Sequence, residues 1–144
     1  MKNNYHTHTV RCHHAQGTAR EYTEAATAAG IKTLGFADHA PQIFPGDYYS
    51  NFRMRPEELS DYCSTLRALK DEYKDKIDIK IGLEAEYYPA LFPALLALIR
   101  PYELDYLILG QHFIGDEEFY SGRTGDFQKF DRYISQTIEA METG

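Results

Sequence analysis

Apolar and polar positions follow two periods along this chain, and the two periods alternate from start to finish. Residues of period two, or short continuous apolar runs, predict four strands, over about residues 4–8, 32–37, 77–83 and 105–109. Apolar residues spaced three and four apart predict four helices, over about residues 18–30, 56–74, 93–100 and 127–141. Strands that alternate with helices indicate a parallel sheet with right-handed crossovers.

Local signals support the helix boundaries. Thr18 and Glu21 have the spacing of a capping box, in which each side chain satisfies a free N–H at the start of a helix. Gly30 suits the left-handed position just past a helix end. Pro56 suits the first turn of a helix, where its missing N–H costs nothing, and Pro101 stops the third helix.

Four βα units amount to half of a typical eight-unit barrel. The sequence therefore predicts an α/β fold of parallel βα repeats, either an open sheet or a partial TIM-like (β/α) barrel. Since no linker, repeat or low-complexity tract interrupts the pattern, residues 1–144 are predicted to form one domain.

Composition narrows the possible partners and the compartment. The net charge of −7 argues against binding of nucleic acid or an anionic membrane through bulk charge. The longest apolar run, residues 90–99, is broken by Pro93 and is shorter than the roughly 20 residues of a membrane span. Two cysteines, Cys12 and Cys63, are too few for a disulfide scaffold, and the N-terminus lacks a signal-peptide pattern. We expect a cytoplasmic protein.

Polar residues of one chemical kind follow each predicted strand. Imidazoles and carboxylates stand at or just after the strand ends: His6, His8, His13 and His14 after the first, Asp38 and His39 after the second, Glu84 at the end of the third and His112 after the fourth. In parallel α/β folds ligands bind beyond these carboxyl ends. All six histidines of the chain are therefore expected at one edge of the sheet.

This set of residues predicts a multinuclear transition-metal site. His6 and His8 are two apart on an extended segment, so both rings point to the same side, and the Glu84 carboxylate can bridge two ions. A single structural zinc needs only four ligands and usually includes thiolates. A nucleophilic role for Cys12 is disfavoured because thiol catalysis needs one base and an orienting group, so Cys12 is expected to be a buried thiol and His13 a neighbour that binds no metal.

The ordered motifs resemble the PHP (polymerase and histidinol phosphatase) superfamily, most closely its histidinol-phosphatase branch. The likeness covers essentially the whole chain, and its motifs are His6-Thr7-His8-Thr9, Cys12-His13-His14-Ala15, Gly35-Phe36-Ala37-Asp38-His39-Ala40-Pro41, Phe52-Arg53-Met54-Arg55, Gly82-Leu83-Glu84-Ala85-Glu86-Tyr87 and Gly110-Gln111-His112-Phe113. The resemblance implies a distorted TIM-like barrel with up to three divalent metal ions, Zn, Mn or Fe, at its carboxyl end.

The same resemblance implies a role for each candidate ligand. His6, His8 and Glu84 would hold one metal ion, Glu84 and His112 a second, and His14 and His39 a third; this set, His6, His8, His14, His39, Glu84 and His112, is the predicted metal site. Glu84, His112 and Asp38 are the predicted catalytic residues. We expect Asp38 to accept the second N–H of a metal-bound imidazole. Family members continue beyond these motifs and supply one further ligand per metal, so the chain resembles an N-terminal portion, truncated on its C-terminal side.

The activity implied by the resemblance is metal-dependent hydrolysis of L-histidinol phosphate in histidine biosynthesis. Arg53 and Arg55 are candidate phosphate or substrate contacts, because guanidinium groups match phosphate oxygens, although a solvated surface role stays open for both. Glu86 could hold a ligand or meet the substrate amine, or be a surface carboxylate. Two alternatives remain: a broader PHP phosphoesterase, and a catalytically silent metal-binding or oligomerising module. Open strand edges predict a homo-oligomer.

Overall fold

A computed structural model describes residues 2–115, 117 and 127–144 of the chain. It contains one sheet of four parallel strands in the order β1-β2-β3-β4, with the bounds β1 Asn3–Thr7, β2 Thr33–Phe36, β3 Asp78–Ala85 and β4 Tyr106–Leu109. Each strand lies beside its neighbour in sequence, and the order never reverses. This is the order of a barrel and not of a doubly wound sheet, so of the two predicted arrangements the structure has the partial barrel.

The contacts of one side chain, Tyr106, show that the sheet is curved. The Tyr106 hydroxyl on β4 lies 2.6 Å from the carbonyl oxygen of Tyr5 on β1 and 3.0 Å from that of Phe36 on β2. In a flat sheet β1 and β4 would be about 14 Å apart, because neighbouring strands are about 4.8 Å apart. A tyrosine side chain cannot span that distance, so the sheet is curved. Gly35 and Gly82 make room, since a Cβ on either would collide with the Tyr106 side chain.

The predicted helices are present, with small differences at their ends. Their bounds are α1 Ala19–Ala28, α2 Leu59–Tyr73, α3 Phe92–Ile99 and α4 Phe127–Glu142. The capping box of α1 is confirmed, because the Thr18 N–H donates to the Glu21 carboxylate at 2.6 Å. Pro56 does not open α2 itself but begins a single 3-10 turn, Pro56–Glu58, that leads directly into α2.

The core lies between α2 and the outer face of the sheet. Leu59, Leu66 and Leu69 of α2 pack with Ile79 and other buried apolar residues of the central strands. The burial of this helix face explains its apolar stripe, because each buried aliphatic side chain contributes roughly 1.5–3 kcal/mol. Within the described part of the chain, no helix is both long and apolar enough to cross a membrane.

The last helix and the last strand expose apolar side chains to solvent. Four side chains at helical spacing on α4 are at least 39% exposed, Phe130, Ile134, Ile138 and Met141. Leu107 and Leu109 of β4 are exposed to a similar degree. We call these six residues the β4/α4 apolar face. The apolar stripe predicted on the last helix is thus present, but the four residues named above face solvent. Phe127 was predicted to share that stripe, and its side chain lies outside the described part of the structure.

Candidate metal centre

The carboxyl end of β1 and the tight turn that follows it bring three imidazoles close together. His6 lies in β1 and His8 directly follows it, and their Nε2 atoms are 3.0 Å apart. The single 3-10 turn Val10–Cys12 comes next, and His14 follows that turn. The ring centroids of His8 and His14 are 5.4 Å apart. The structure therefore places these side chains close together, as the sequence predicted.

Glu84, near the end of β3, is the point at which histidines from three other strand ends meet. Its Oε2 lies 3.3 Å from Nε2 of His6, 3.1 Å from Nε2 of His8 and 3.0 Å from Nδ1 of His39. Its Oε1 lies 3.7 Å from Nε2 of His112. The side chain is only 4% exposed. One buried carboxylate thus faces four imidazoles.

Gly110, just after β4, makes this position of Glu84 possible. A Cβ at residue 110 would collide with the Glu84 carboxylate. Gly110 belongs to one of the sequence motifs, but the motif alone gives no reason for a glycine there. The reason is spatial, since the glycine comes from a different strand end and no local pattern reveals the contact.

The electrostatics of the centre favour an ionised Glu84 carboxylate and an unprotonated His39 imidazole. Burial alone would raise the pKa of Glu84, but the hydrogen bond to His8 and the charges of His39, His6 and His112 lower it to about 2. Burial lowers the pKa of His39 to about 3, although Glu84 opposes that effect. Anionic oxygen and unprotonated imidazole nitrogen are the forms that bind divalent transition metals.

Hydrogen bonds fix the orientation of two of the imidazoles. His14 Nδ1 lies 2.9 Å from the Cys12 carbonyl oxygen, so it carries the proton and leaves Nε2 as an electron-pair donor. His112 Nδ1 lies 2.6 Å from Oε1 of Glu86, which raises the pKa of His112 and likewise leaves Nε2 facing Glu84. A carboxylate behind a histidine is a common support for a metal ligand.

The donor set fits metal ions better than it fits an internal hydrogen-bond network. Among the described residues, Nδ1 of His8 and Nδ1 of His39 are buried without a hydrogen-bond partner, although His39 Nδ1 lies 3.0 Å from Oε2 of Glu84. Donor atoms within 4.8 Å of one another form three overlapping groups, His6-His8-Glu84, His39-Glu84-His112 and His8-Cys12-His14. Overlapping groups that share His8 and Glu84 are what a multinuclear site requires.

Asp38 and Glu86 differ from their expected roles. Asp38 is fully buried, and its two oxygens accept from the N–H and the hydroxyl of Thr9, at 2.6 and 2.8 Å, rather than from an imidazole. Burial raises the pKa of Asp38, while these hydrogen bonds oppose the rise. Asp38 therefore anchors the turn that precedes His14. The carboxylate that holds an imidazole is Glu86, and the alternative that Glu86 is a surface group is wrong because it is 0% exposed.

The two candidate arginines lie in different surroundings. Arg53 is 1% exposed; its Nη2 lies 3.3 Å from Glu86 and 2.5 Å from Glu117, so a solvated role for Arg53 is wrong. Arg55 is exposed, and its guanidinium lies 4.6 Å from the centre of the Tyr49 ring. Glu117 is a site residue that the sequence did not predict, because it lies in a loop without periodicity or a recognisable motif.

Two further predictions concern the loop after β1. Cys12 is fully buried, as predicted, and its Sγ lies 3.0 Å from the Thr9 carbonyl oxygen. Burial raises the pKa of this thiol, which disfavours a nucleophilic thiolate. His13 is exposed, has a positive φ of 61° and belongs to none of the three donor groups.

Half of a parallel β/α barrel, with imidazoles gathered around a buried carboxylate at its carboxyl edge, defines a barrel protein with a candidate multinuclear metal centre. The model of the PHP domain family matches residues 4–143, and the chain belongs to this family. The match spans all the candidate ligands, so the resemblance noted from the sequence motifs is confirmed.

Curated relatives of the chain carry related names. It is 36% identical over 110 residues to a probable histidinol-phosphatase of Deinococcus radiodurans. That alignment covers 76% of this chain and 42% of the relative. It is 29% identical to the histidinol-phosphatase of Bacillus subtilis over 98% of this chain and 56% of that protein. The chain thus spans about half the length of the relatives that it matches.

Solved structures agree with the fold. The histidinol phosphate phosphatase of Lactococcus lactis, crystallised with zinc, L-histidinol and phosphate, aligns with a TM-score of 0.67 at 30% identity, over 80% of this chain and 41% of that one. The putative histidinol phosphatase of Listeria monocytogenes aligns with a TM-score of 0.68 at 21% identity, over 92% of this chain and 52% of that one, and supports the fold alone.

Proposed function

We propose that the chain carries the metal centre of a phosphomonoesterase that hydrolyses L-histidinol phosphate to L-histidinol and phosphate. One observation carries the proposal: the imidazoles of His6, His8, His39 and His112 converge on the buried Glu84 carboxylate. The substrate is inferred from the names of the relatives and from the zinc, L-histidinol and phosphate with which the Lactococcus lactis enzyme was crystallised.

The donors would hold up to three divalent ions, with Zn, Mn and Fe as candidates for mixed imidazole and carboxylate ligands. His6, His8 and Glu84 form one group; His39, Glu84 and His112 form another. His14 would serve the third position, with His8, Cys12 and His39 as its neighbours. When bound, such ions lower the pKa of a coordinated water and neutralise phosphate charge.

The protein's own residues would provide orientation and charge. Glu84 stays ionised and would contribute to two of the donor groups. Glu86 keeps the Nδ1 proton of His112, so that Nε2 faces the site. Asp38 holds the turn that leads to His14. In hydrolysis, the water oxygen bonds to phosphorus, the ester P–O bond breaks, and the alcohol leaves with a proton.

Arg53 and Arg55 would act at different distances from the substrate. The Arg53 guanidinium is already engaged by Glu86 and Glu117, so we assign it to the support of Glu86 rather than to direct phosphate contact. The exposed Arg55 keeps the proposed role of a contact at the mouth of the site.

The test is phosphate release from L-histidinol phosphate by the chain loaded with Zn, Mn or Fe. His14→Asn and His13→Asn form a matched pair, because the two histidines are neighbours and only His14 belongs to a donor group; asparagine also tolerates the positive φ of residue 13. We expect activity that is lost in His14→Asn and His112→Ala and kept in His13→Asn. Equal activity in both members of the pair would contradict the proposal.

A second candidate is a metal-binding module without turnover, because the donor groups by themselves account for metal binding but not for catalysis. Metal content separates the two functions. Metal bound without phosphate release from any ester would support the silent module. Release from several unrelated phosphomonoesters would instead support a broader phosphoesterase, in keeping with relatives named probable phosphatase, such as one that is 34% identical over 82 residues.

We further propose that copies of the chain associate through the β4/α4 apolar face. Large exposed apolar patches commonly mark interfaces, and an open parallel strand edge invites pairing. Sedimentation should show a dimer or larger assembly at micromolar concentration, and Ile138→Lys should dissociate it. A stable monomer would contradict the proposal. A cytoplasmic location and the absence of nucleic-acid and membrane partners stay predictions from the sequence.

A further inference from the structure

The last helix, α4, meets the loops after β3 and β4 through polar side chains, whereas its members of the β4/α4 apolar face are exposed to solvent. The Tyr133 hydroxyl of α4 donates to the Gln111 carbonyl oxygen at 3.1 Å. The Tyr87 hydroxyl donates to Oε1 of Glu139 on α4 at 2.7 Å. A surface helix usually packs through its apolar side. Hydrogen bonds at this contact therefore fix a position rather than bury apolar surface.

Gln136 of α4 is a buried side chain that joins the two loops. It is 8% exposed; its Nε2 donates to the Tyr87 carbonyl oxygen at 2.6 Å, and its Oε1 accepts from the Gly115 N–H at 2.8 Å. One partner is an acceptor and the other a donor, so only this orientation of the amide satisfies both. Tyr87 lies in the loop after β3 and Gly115 in the loop after β4.

The loop after β3 carries Glu86, and its backbone is held at three neighbouring points. Both backbone polar groups of Tyr87, the next residue, are bound by glutamine side chains. The Tyr87 N–H donates to Oε1 of Gln111 at 3.0 Å, and the Tyr87 carbonyl oxygen accepts from Gln136. The carbonyl oxygen of Glu86 itself accepts from Nε2 of Gln42 at 3.0 Å. A buried network in which each group is satisfied makes this part of the loop rigid.

The loop after β4 carries His112 and is bound by the same helix. Gln136 accepts from the Gly115 N–H, three residues after His112. The Nδ1 atom of His112 lies 2.6 Å from Oε1 of Glu86 in the other loop. The length of this hydrogen bond depends on the distance between the two loops, and Gln136 binds the backbone of both.

We propose that Gln136 is a positioning residue: by tying the two loops to α4 it holds Glu86 against Nδ1 of His112, so that Nε2 of His112 stays in place for a metal ion. The inference rests on the proposed function for the metal centre alone, and not for the substrate. It means that a helix away from the strand ends sets the affinity of one metal position.

Zinc binding tests this role without catalysis. The chain is loaded with zinc, and competition with a chelator measures the affinity of each zinc step. His112→Asn identifies the His112-dependent step, because that step is absent in this variant. Gln136→Met keeps the length of the side chain and removes both hydrogen bonds. We expect it to weaken the His112-dependent step about tenfold, the lower end of the range for groups that orient a metal ligand.

Two further variants calibrate the effect. Ser135→Met is the matched control, since it places the same side chain at the neighbouring, exposed position of α4 and should leave every zinc step unchanged. Gln136→Asn keeps the amide on a side chain that is one methylene shorter, so it can bind only one of the two loops. We expect an intermediate loss of about threefold, in keeping with one lost hydrogen bond.

A double substitution separates positioning from a general loosening of the fold. In the His112→Asn background, Gln136→Met should change the remaining zinc steps less than about twofold, because its route of action is gone. Nitrogen NMR of the metal-free chain at alkaline pH adds an internal reference. Nδ1 of His14 and Nδ1 of His112 both face an oxygen acceptor, yet only His112 is connected to Gln136. Gln136→Met should change the tautomer of His112 and not that of His14.

The outcomes separate this inference from the proposed function. Wild-type affinity of the His112-dependent step in Gln136→Met, an equal loss in Ser135→Met, equal weakening of all zinc steps, or the absence of any step that His112→Asn removes overturns the inference, even if L-histidinol phosphate is hydrolysed. A loss confined to the His112-dependent step supports it, even if the chain releases no phosphate. Thermal unfolding confirms that each variant is folded, and Gln136→Asn carries the same test if Gln136→Met does not fold.

Discussion

Glu84 and Glu86 are two buried carboxylates two residues apart, and their surroundings differ. Glu84 meets imidazoles from three other strand ends, a set that can exchange protons for metal ions. Glu86 meets the permanent charge of Arg53 and, of the imidazoles in the described part of the chain, that of His112. The spacing of two residues along one extended segment puts both groups on one side of the chain. Their partners differ, so Glu84 suits the binding of metal ions and Glu86 suits the support of His112.

The largest effect should come from Glu84→Gln. The amide keeps the size of the side chain but removes the charge that two of the donor groups share. We expect loss of phosphate release on the order of 10³-fold or more, with reduced metal content. Elemental analysis and a phosphate-release assay measure the two effects. Wild-type metal content in this variant would show that the Glu84 charge is not needed for metal binding, and would contradict its assigned role.

Arg53→Met should be the next largest change, and it acts on stability. It removes the cation that pairs with both Glu86 and Glu117 and leaves their carboxylates buried. Loss of one member of such a pair costs about 3–5 kcal/mol of the free energy of unfolding. Urea unfolding of the metal-free chain tests this, and a loss below about 1 kcal/mol would show that the Glu86 cluster does not depend on Arg53.

Glu86→Ala should have a smaller and more specific effect. Without this carboxylate, His112 loses the partner that holds its Nδ1 proton. Groups that orient a metal ligand typically change metal affinity about 10–100-fold. Competition with a metal chelator measures the affinity, and nitrogen NMR of His112 reports its tautomer. Glu86→Gln should restore part of the affinity, since its amide oxygen still accepts; no difference between the two variants would contradict the bracing role.

The smallest effect is expected for Arg55→Ala, which serves as the counterpart of the Arg53 variant. Arg55 is exposed and lies over the Tyr49 ring, so its removal should change unfolding free energy by only about 0.5 kcal/mol. If Arg55 contacts substrate at the mouth, KM should rise while kcat is unchanged. An unchanged KM would remove it from the proposed substrate contacts.

The strand ends could be predicted from the sequence because they depend on local rules. The periods located each strand and helix, and parallel crossovers place the residues after each strand at one edge. His6, His8, His39, Glu84 and His112 are accordingly together in the structure. The same logic could not locate Glu117, which reaches Arg53 across 64 residues of sequence.

The sequence left the roles of several residues undecided, because those roles also depend on contacts between distant segments. Asp38 and Glu86 both follow a strand, and nothing local distinguishes the carboxylate that anchors Thr9 from the one that holds His112. Arg53 and Arg55 are two residues apart, yet one is buried and the other exposed. These differences arise from loops that meet only when the sheet curls.

The sequence by itself determined the alternation of strands and helices, the edge at which the imidazoles gather and the family to which the chain belongs. Only the tertiary structure decided that Glu84 is the common partner of the imidazoles and that Glu86 and Arg53 form a buried pair. The physical reason is range: periodicity and capping act within a few residues, whereas burial, pairing and cavity shape depend on contacts between distant segments.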